Sequence, residues 1–405
     1  MNHSVEQHVR KPRGRDIHEE HRVSTPLELL FDLTFVVAIA LAAAQLHHGL
    51  AEHHLAQALP VFGLVFFSIW WAWMNYSWFA SAYDNDDTAF RLLTMLQMLG
   101  VLVLATGIGG AFEGQWAAMV FGYVLMRVAL VVQWVRAGRG DPERRSTCYR
   151  YALGVAAVQV FWVARLSFPA DWMWPMAVLG VVLELAVPAW AERVGTTPWH
   201  AHHIAERYGL MTIIVLGECV LGTGNSIASV LQSEGWSWGL AAVGVGGLGL
   251  VLALWWIYFL LPSAEALHHH RERAWGWGYG HFFVFASVAA LGSGLEVVAD
   301  MLKVSSHGGA EGNGSTSLEA ILFLAVPLTI YVLAVWLQWG WVTRARERQT
   351  GIAFLCLACF ALVVAAVALG LPLPWALPLL CVGPLVVIVY NEHGRKHCGE
   401  FFQVR

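Results

Sequence analysis

Residues 27–46 read LELLFDLTFVVAIALAAAQL, a run in which only Glu28, Asp32, Thr34 and Gln45 are polar. A helix of about 20 apolar residues is long enough to cross the hydrocarbon core of a bilayer. The run therefore predicts a membrane-spanning helix, and most of the chain is built from similar runs.

Eleven further stretches of comparable length and composition follow the first. Only 13% of the 405 residues are charged and 58% are hydrophobic, whereas soluble domains average about 25% charged residues. The sequence thus predicts an all-α membrane protein of about 12 transmembrane helices, surrounded by the lipid bilayer. The predicted spans are residues 27–46, 59–79, 92–111, 116–135, 151–168, 172–190, 208–231, 238–261, 282–298, 318–341, 352–371 and 374–390.

Basic residues concentrate in alternate loops. If the N-terminus lies in the cytoplasm, 21 of the 24 Lys and Arg residues fall in inner segments. Lys303 falls in an outer loop, and Arg127 and Arg165 fall within spans. Because inner loops of membrane proteins are enriched in Lys and Arg, both ends are predicted to be cytoplasmic. The tails are residues 1–26 and 393–405.

The two halves of the chain resemble each other. A shift of 185 residues places Trp70 on Trp255 and Gly107 on Gly292, in the same order along consecutive predicted helices. Six helices per half is an even number, so both halves would have the same orientation, as in the parallel repeats of transporters. The sequence predicts two parallel six-helix repeats, residues 27–192 and 193–392.

Ionisable side chains occur deep inside several predicted spans. Glu218 lies near the middle of the seventh, and Arg127 and Glu184 lie at similar depth on the fourth and sixth. A charge at this depth is costly, so it usually has a partner or a function. The three are predicted to lie together where the halves meet. They form either a proton or cation site or an ion pair that fixes packing.

A second group lies near the inner ends of the first and seventh spans. Glu28 and Asp32 share one helical face, and Glu206 and Arg207 occupy the parallel place. Carboxylates in a first helical turn are also stabilised by the helix dipole, which is the structural alternative for Glu28 and Glu206. His281, early in the ninth span, is a candidate proton carrier. Its alternative role is an interhelical hydrogen bond.

The sequence indicates no metal and no cofactor. His200 and His203 are the candidate metal ligands, but a metal site needs three or four converging ligands, and an interfacial loop rich in His explains them as well. No predicted span contains the Lys that a retinal Schiff base needs, and there is no Walker A motif. With a net charge of −4 and no basic stripe, no nucleic acid is expected as a partner. The oligomeric state is not indicated.

Two long motifs resemble those of the bacterial low-temperature-requirement A family. They are ELLFDLTFVVAI at residues 28–39 and HAHHIAERYGLMTIIVLGE at residues 200–218. The acidic DNDD at residues 84–87 and YGH at residues 279–281 also fit. The resemblance implies a multi-pass protein of the bacterial cytoplasmic (inner) membrane with a role in growth in the cold. It implies functional roles for Glu28, Asp32, His203, Glu206, Arg207, Glu218 and His281.

Three classes of function fit these observations. The sequence favours a proton-coupled secondary transporter or channel for a small solute or ion. A membrane-embedded enzyme that acts on lipid is the second class. Its polar cluster would consist of Asp32, Asp84, Asp86, Asp87, His203 and Glu206. The sequence disfavours an enzyme, because no common hydrolase motif occurs. The third is a non-catalytic scaffold or sensor.

The predicted orientation is tested by reporter fusions truncated after residues 140, 169 and 312. Green fluorescent protein should fluoresce only after residue 140, since four spans return the chain to the cytoplasm. Alkaline phosphatase should be active only after residues 169 and 312, which follow five and nine predicted spans. The opposite pattern at all three residues would overturn the orientation, and cytoplasmic activity after residues 140, 169 and 312 alike would remove the fifth span.

Overall fold

A computed structural model describes most of the chain. The described residues are 11–17, 19, 22–306, 316–343 and 346–397. Parts of both predicted tails and of the longest predicted outer loop lie outside them: residues 1–10, 307–315 and 398–405.

The described residues are helical and contain no strand, which confirms the predicted all-α fold. Long apolar runs with few Gly or Pro residues inside them favour helices, because a helix pairs every backbone polar group within one segment. The helices are α1 (Pro26–Ala51), α2 (Leu55–Tyr83), α3 (Thr88–Thr106), α4 (Ile108–Phe112), α5 (Ala117–Gly140), α6 (Arg145–Arg165), α7 (Met173–Ala191), α8 (Ala201–Glu234), α9 (Trp238–Phe259), α10 (Ser263–His269), α11 (Ala274–Ser306), α12 (Ser317–Thr343), α13 (Arg346–Ala368), α14 (Leu373–Leu380) and α15 (Val382–His397).

Eleven segments of the described chain are long and apolar enough to cross a membrane. Large apolar side chains also point outward from several helices: Val160 on α6 and Leu362 on α13 are each 69% exposed, and Leu252 on α9 is 57% exposed. Extended apolar surfaces are rare on soluble monomers. The protein is therefore a multi-pass membrane protein.

The fifth predicted span corresponds to α6, which is not among the eleven segments. Its 21 residues, at about 1.5 Å each, give it the length to cross a bilayer. Arg145, Arg150 and Arg165 lower its apolar content, and Gln159 lies within it. The helix has the expected length but a more polar composition, so the count of twelve spans stays a prediction.

The chain divides into two compact units. The first comprises the described parts of residues 1–42 and 63–207. Within it, α3 packs along α5, α5 on α6, and α6 on α7. The contact of α3 with α5 requires glycine, because a Cβ atom at Gly122 would lie 2.2 Å from the backbone nitrogen of Leu104.

The second unit comprises the described parts of residues 43–62 and 208–405. Within it, α11 packs on α12, α12 on α13, and α9 on α14. The hydroxyl of Ser293 on α11 donates to the Ala43 carbonyl oxygen at 2.8 Å and so fixes α11 to the end of α1. The predicted six-helix halves, with their boundary at residue 192, stay a prediction.

Asp87, in the loop between α2 and α3, has a structural role. Its Oδ1 accepts a hydrogen bond of 2.7 Å from the backbone N–H of Phe90, which caps the first turn of α3. Its Oδ2 lies 2.6 Å from a guanidinium nitrogen of Arg136 on α5. The buried carboxylate therefore joins two helices.

The other two carboxylates of this loop are also engaged. Asp86 accepts two hydrogen bonds from the exposed guanidinium of Arg91, at 2.8 and 2.7 Å. Asp84 accepts a hydrogen bond from the backbone N–H of Asp86, and burial raises its pKa to about 6. The acidic loop thus serves local structure, which weakens the hypothesis that it forms the polar cluster of an enzyme.

Replacing Asp by Asn at position 87 and at position 86 compares a buried ion pair with an exposed one. Asp87→Asn keeps a capping side chain but removes the charge opposite Arg136, so we expect the free energy of unfolding to fall by about 3 kcal/mol. Asp86→Asn is the control and should cost less than about 1 kcal/mol, because exposed ion pairs contribute little. Thermal denaturation in detergent measures both, and equal effects would contradict the structural role of Asp87.

Candidate functional site

The starts of α1 and α8, both of which lie in the first unit, carry ionisable side chains one turn apart. Glu28 and Asp32 lie four residues apart on α1, and His203 and Arg207 lie four residues apart on α8. Residues at this spacing lie on one face of a helix. All four are 0% exposed.

The acidic face of α1 pairs with the basic face of α8. His203 Nε2 lies 3.0 Å from Glu28 Oε1, and Arg207 Nη2 lies 2.6 Å from Asp32 Oδ1. The pair of Asp32 and Arg207 lies one helical turn further along both helices than the pair of Glu28 and His203. The sequence predicts these residues as candidates one by one, and the structure brings them together. We call these four residues the paired-charge cluster.

Helix α2 supplies the remaining polar partners of the paired-charge cluster. The indole N–H of Trp73 donates to Asp32 Oδ1 at 2.7 Å. Arg207 Nη2 donates to the hydroxyl of Ser77 at 3.2 Å, and its guanidinium lies 6.0 Å from the ring centre of Tyr76. Trp73 and Ser77 are again one turn apart, so α2 faces the cluster with its polar side.

Several buried polar atoms of the cluster have no hydrogen-bond partner among the described residues. They are Glu28 Oε1, whose contact with His203 is an ion pair, Asp32 Oδ2, His203 Nδ1, and Nε and Nη1 of Arg207. Buried polar groups normally have partners, so unpaired ones often mark sites for water, ions or ligands. The cluster therefore offers both donors and acceptors to such a group.

The segment before α1 holds the cluster in place. Thr25 and Glu28 cap each other: the backbone N–H of Thr25 donates to Glu28 Oε2 at 2.8 Å, and Thr25 Oγ1 accepts from the N–H of Glu28. This reciprocal arrangement is a capping box. Glu206 accepts the N–H of Ser24 at 3.1 Å, so it binds this segment and does not join the pairs.

Arg22 and His200 fix neighbouring backbone. The guanidinium of Arg22 donates to the carbonyl oxygens of Ser81 and Ala80 at the end of α2, and burial lowers its pKa to about 10. A ring nitrogen of His200 lies 2.7 Å from the Glu19 carbonyl oxygen. Neither Arg22 nor Ser77 is among the site residues predicted from the sequence, because nothing in the residue pattern places them beside α1.

Glu184 is the centre of a second buried cluster in the first unit. It accepts hydrogen bonds from Trp71 at 2.9 Å, Tyr123 at 2.8 Å, Gln159 at 3.3 Å and Trp162 at 3.2 Å. Arg127 lies 3.8 Å from its Oε2 and also donates to the Tyr123 hydroxyl. Four neutral donors and one cation surround this carboxylate, an arrangement that holds it in place.

Glu218 and His281 belong to the second unit. Glu218 is half-buried, and its Oε2 has no hydrogen-bond partner among the described residues. Its placement beside Arg127 and Glu184 stays a prediction. His281 is fully buried, with Nε2 2.9 Å from the Tyr258 hydroxyl and Nδ1 2.7 Å from the Trp277 carbonyl oxygen. Both ring nitrogens therefore have partners, as the interhelical alternative requires.

No group of three or more His, Cys, Asp or Glu side chains is arranged to hold a metal ion within the described part of the chain. His200 and His203 are engaged by Glu19 and Glu28 instead.

Comparisons with known proteins identify a matching family model and a relative. The family model described as bacterial low temperature requirement A protein (LtrA) matches residues 23–387. A protein of Rhizobium meliloti (strain 1021), named "Uncharacterized protein RA0937", is 30% identical over 250 residues. That similarity covers 60% of this chain and 59% of the relative, so the chain spans less than two thirds of that protein's length.

The dependence of Asp32 on Arg207 is tested by a pair of variants. Arg207→Gln leaves Asp32 buried opposite a neutral amide, and we expect a loss of about 3–5 kcal/mol in the free energy of unfolding. Adding Asp32→Asn removes the uncompensated charge and should restore part of the stability. Thermal denaturation in detergent measures both, with the exposed Arg193→Gln as the control. A double variant no more stable than Arg207→Gln would contradict the pairing.

Proposed function

The chain belongs to the bacterial low temperature requirement A family, and we propose that it is a proton-coupled secondary transporter or channel for a small solute or ion. We place it in the bacterial cytoplasmic membrane, with both ends inside and two parallel six-helix repeats. The protein's partners in this proposal are lipid, protons and the transported solute.

The pairing of Glu28 with His203 is the observation that carries the proposal. His203 Nε2 lies 3.0 Å from one oxygen of the Glu28 carboxylate and 3.3 Å from the other. This is hydrogen-bond distance, so a proton can pass directly between the two groups. Both groups are fully buried, so each change of charge alters their energy far more than it would in water. Such a pair can convert binding of a proton into a change in helix packing.

The proton balance of this step is simple. In one state Glu28 is a carboxylate and His203 an imidazolium, which attract each other. A proton from the inner water phase binds Glu28 and produces a neutral carboxyl group beside the imidazolium. The attraction between Glu28 and His203 is thereby weakened, so the starts of α1 and α8 loosen at this pair while Asp32 and Arg207 stay in contact. Release of the proton restores the pair.

The neighbouring pair of Asp32 and Arg207 lies one turn further along α1 and α8, and so determines where the proton moves next. Arg207 is a permanent cation. Its 2.6 Å contact with Asp32 keeps this pair together while the pair of Glu28 and His203 gains or loses a proton. Asp32 retains an unpaired oxygen among the described residues. We propose that Asp32 is the next acceptor of the proton, or the ligand of a cation, once Glu28 is neutral.

The roles of the other predicted residues follow from their partners. Glu184 and Arg127 hold α5, α6 and α7 together through the contacts around the Glu184 carboxylate. Glu218 has an unpaired buried oxygen and remains a candidate for the proton pathway, as does Glu206. His281, with both ring nitrogens engaged, joins α9 and α11 instead. The proposal thus moves the main proton site from Glu218 to the start of α1 and α8.

Transport is tested with the full chain in proteoliposomes on a solid-supported membrane. Pools of amino acids, sugars, organic acids and inorganic salts are applied with and without a pH gradient. We expect one pool to give a current that grows when the acidic side drives protons inward. Glu28→Gln should abolish the dependence of this current on the pH gradient, since it removes the titrating carboxyl group.

Glu113→Gln is the matched control, because Glu113 is an exposed carboxylate outside the predicted spans. Its current should equal that of the wild type. A wild-type current that is unchanged by Glu28→Gln would contradict the proton role of the pair. No current from any pool, with an altered lipid profile in cells, would favour a lipid-acting enzyme; no current with an unchanged profile would favour a scaffold or sensor.

A further inference from the structure

A shallow groove with a cavity volume of about 20 Å³ opens in the first unit between α2, α5 and α6. Its lining includes the aromatic rings of Trp116, Tyr123 and Trp162, and the side chains of Ser68 and Arg165. It is separate from the paired-charge cluster, and none of the proposed transport steps uses it. Its composition combines a cation with aromatic surfaces.

Arg165 is the distinctive residue of this groove. It is only 6% exposed, and its guanidinium lies 5.2 Å from the ring centre of Trp116 and 5.9 Å from that of Trp162. Among the described residues it forms no ion pair and no hydrogen bond, and its Nε is buried without a partner. A buried cation with neither is costly and rarely retained without a function.

No carboxylate among the described residues forms an ion pair with Arg165. Glu184 lies in the neighbouring cluster that shares Tyr123 and Trp162 with the groove; its oxygens accept hydrogen bonds from these two residues and form an ion pair with Arg127 at 3.8 Å. One carboxylate and two guanidinium groups leave a net charge of +1. The groove therefore favours an anionic ligand. A planar guanidinium recognises phosphate oxygens better than a point charge does.

The position of the groove suits a ligand at the membrane surface. Arg165 is the last residue of α6, and Trp116 directly precedes α5. The following residues Leu166, Phe168 and Trp172 are 42%, 49% and 56% exposed. Aromatic and apolar side chains exposed at helix ends are typical of the boundary between lipid tails and headgroups.

We propose that Arg165, with Trp116 and Trp162, forms a binding site for a phosphate group. The guanidinium donates to the phosphate oxygens, and the two indole rings hold the guanidinium in a fixed plane. The phosphate belongs either to the headgroup of an anionic phospholipid or to a free phosphate compound. Because Tyr123 and Trp162 line the groove and also bind Glu184, the ligand contacts the same residues that hold α5, α6 and α7 together.

Native mass spectrometry of the full chain in detergent tests the site. The probes are phosphatidylglycerol, phosphatidylcholine and inorganic phosphate. We expect the wild type to retain phosphatidylglycerol in preference to phosphatidylcholine. Arg165→Gln should weaken phosphatidylglycerol binding about tenfold, the effect expected when a hydrogen bond to a charged group is lost.

Arg150→Gln is the matched control. Arg150 lies on the same helix and also stacks on a tryptophan, 5.3 Å from the ring of Trp190, but it lies at the opposite end and donates to a carbonyl oxygen. It should leave the preference for phosphatidylglycerol unchanged. Equal binding by the wild type and Arg165→Gln, or equal losses in both variants, would overturn the proposal.

Competition distinguishes the two sources of phosphate. If millimolar inorganic phosphate displaces the lipid from the wild type but not from Arg165→Gln, the site takes free phosphate compounds; if it does not, the site takes the lipid headgroup. Both results support a phosphate site. Should Arg165→Gln fail to fold, Arg165→Lys replaces it: weaker binding supports the guanidinium contact, and wild-type binding contradicts it.

Discussion

The burial of four ionisable groups at the start of α1 and α8 constrains the rest of the first unit. Glu28, Asp32, His203 and Arg207 are each 0% exposed, so each charge has to find its partner within the protein. Because both ion pairs form at once, they fix the rotation and the register of α1 against α8. The hydrogen bond from Trp73 to Asp32 then fixes α2 against both. A shift of one residue in any of these helices would leave a buried charge without a partner.

Other buried polar groups find hydrogen-bond or ion-pair partners within the protein to different degrees. Glu184 has four neutral donors and a cation, and both ring nitrogens of His281 are engaged, so these two groups are best explained as structural. Asp32, Arg207 and Arg165 each keep unpaired buried atoms among the described residues. Unpaired atoms persist where a ligand, an ion or a proton uses them. Arg127 beside Glu184 also keeps unpaired nitrogen atoms, so such atoms mark a candidate only where the contacts described above support it as well.

Much of this fold can be predicted from the sequence, because apolar runs of spanning length determine helices directly. The α6 helix departs from this pattern, since Arg145, Arg150 and Arg165 make it more polar than the other predicted spans. The ionisable residues of the site are predictable as well, since charges are rare within such runs. Their partners are not, because the pairing of Glu28 with His203 joins residues 175 positions apart. The sequence contains one signal of this pairing. One motif has two acids four residues apart and the other has two bases four residues apart, so the two helix faces are complementary in charge.

The central claim is that the pair of Glu28 and His203 holds a proton that exchanges with water. Infrared difference spectroscopy of the reconstituted protein, recorded between acidic and neutral pH, observes this proton through the C=O stretch of a protonated carboxyl group. The account predicts a carboxyl band at acidic pH that disappears at neutral pH and is missing in Glu28→Gln. A spectrum in which Glu28→Gln retains every carboxyl band of the wild type would contradict it.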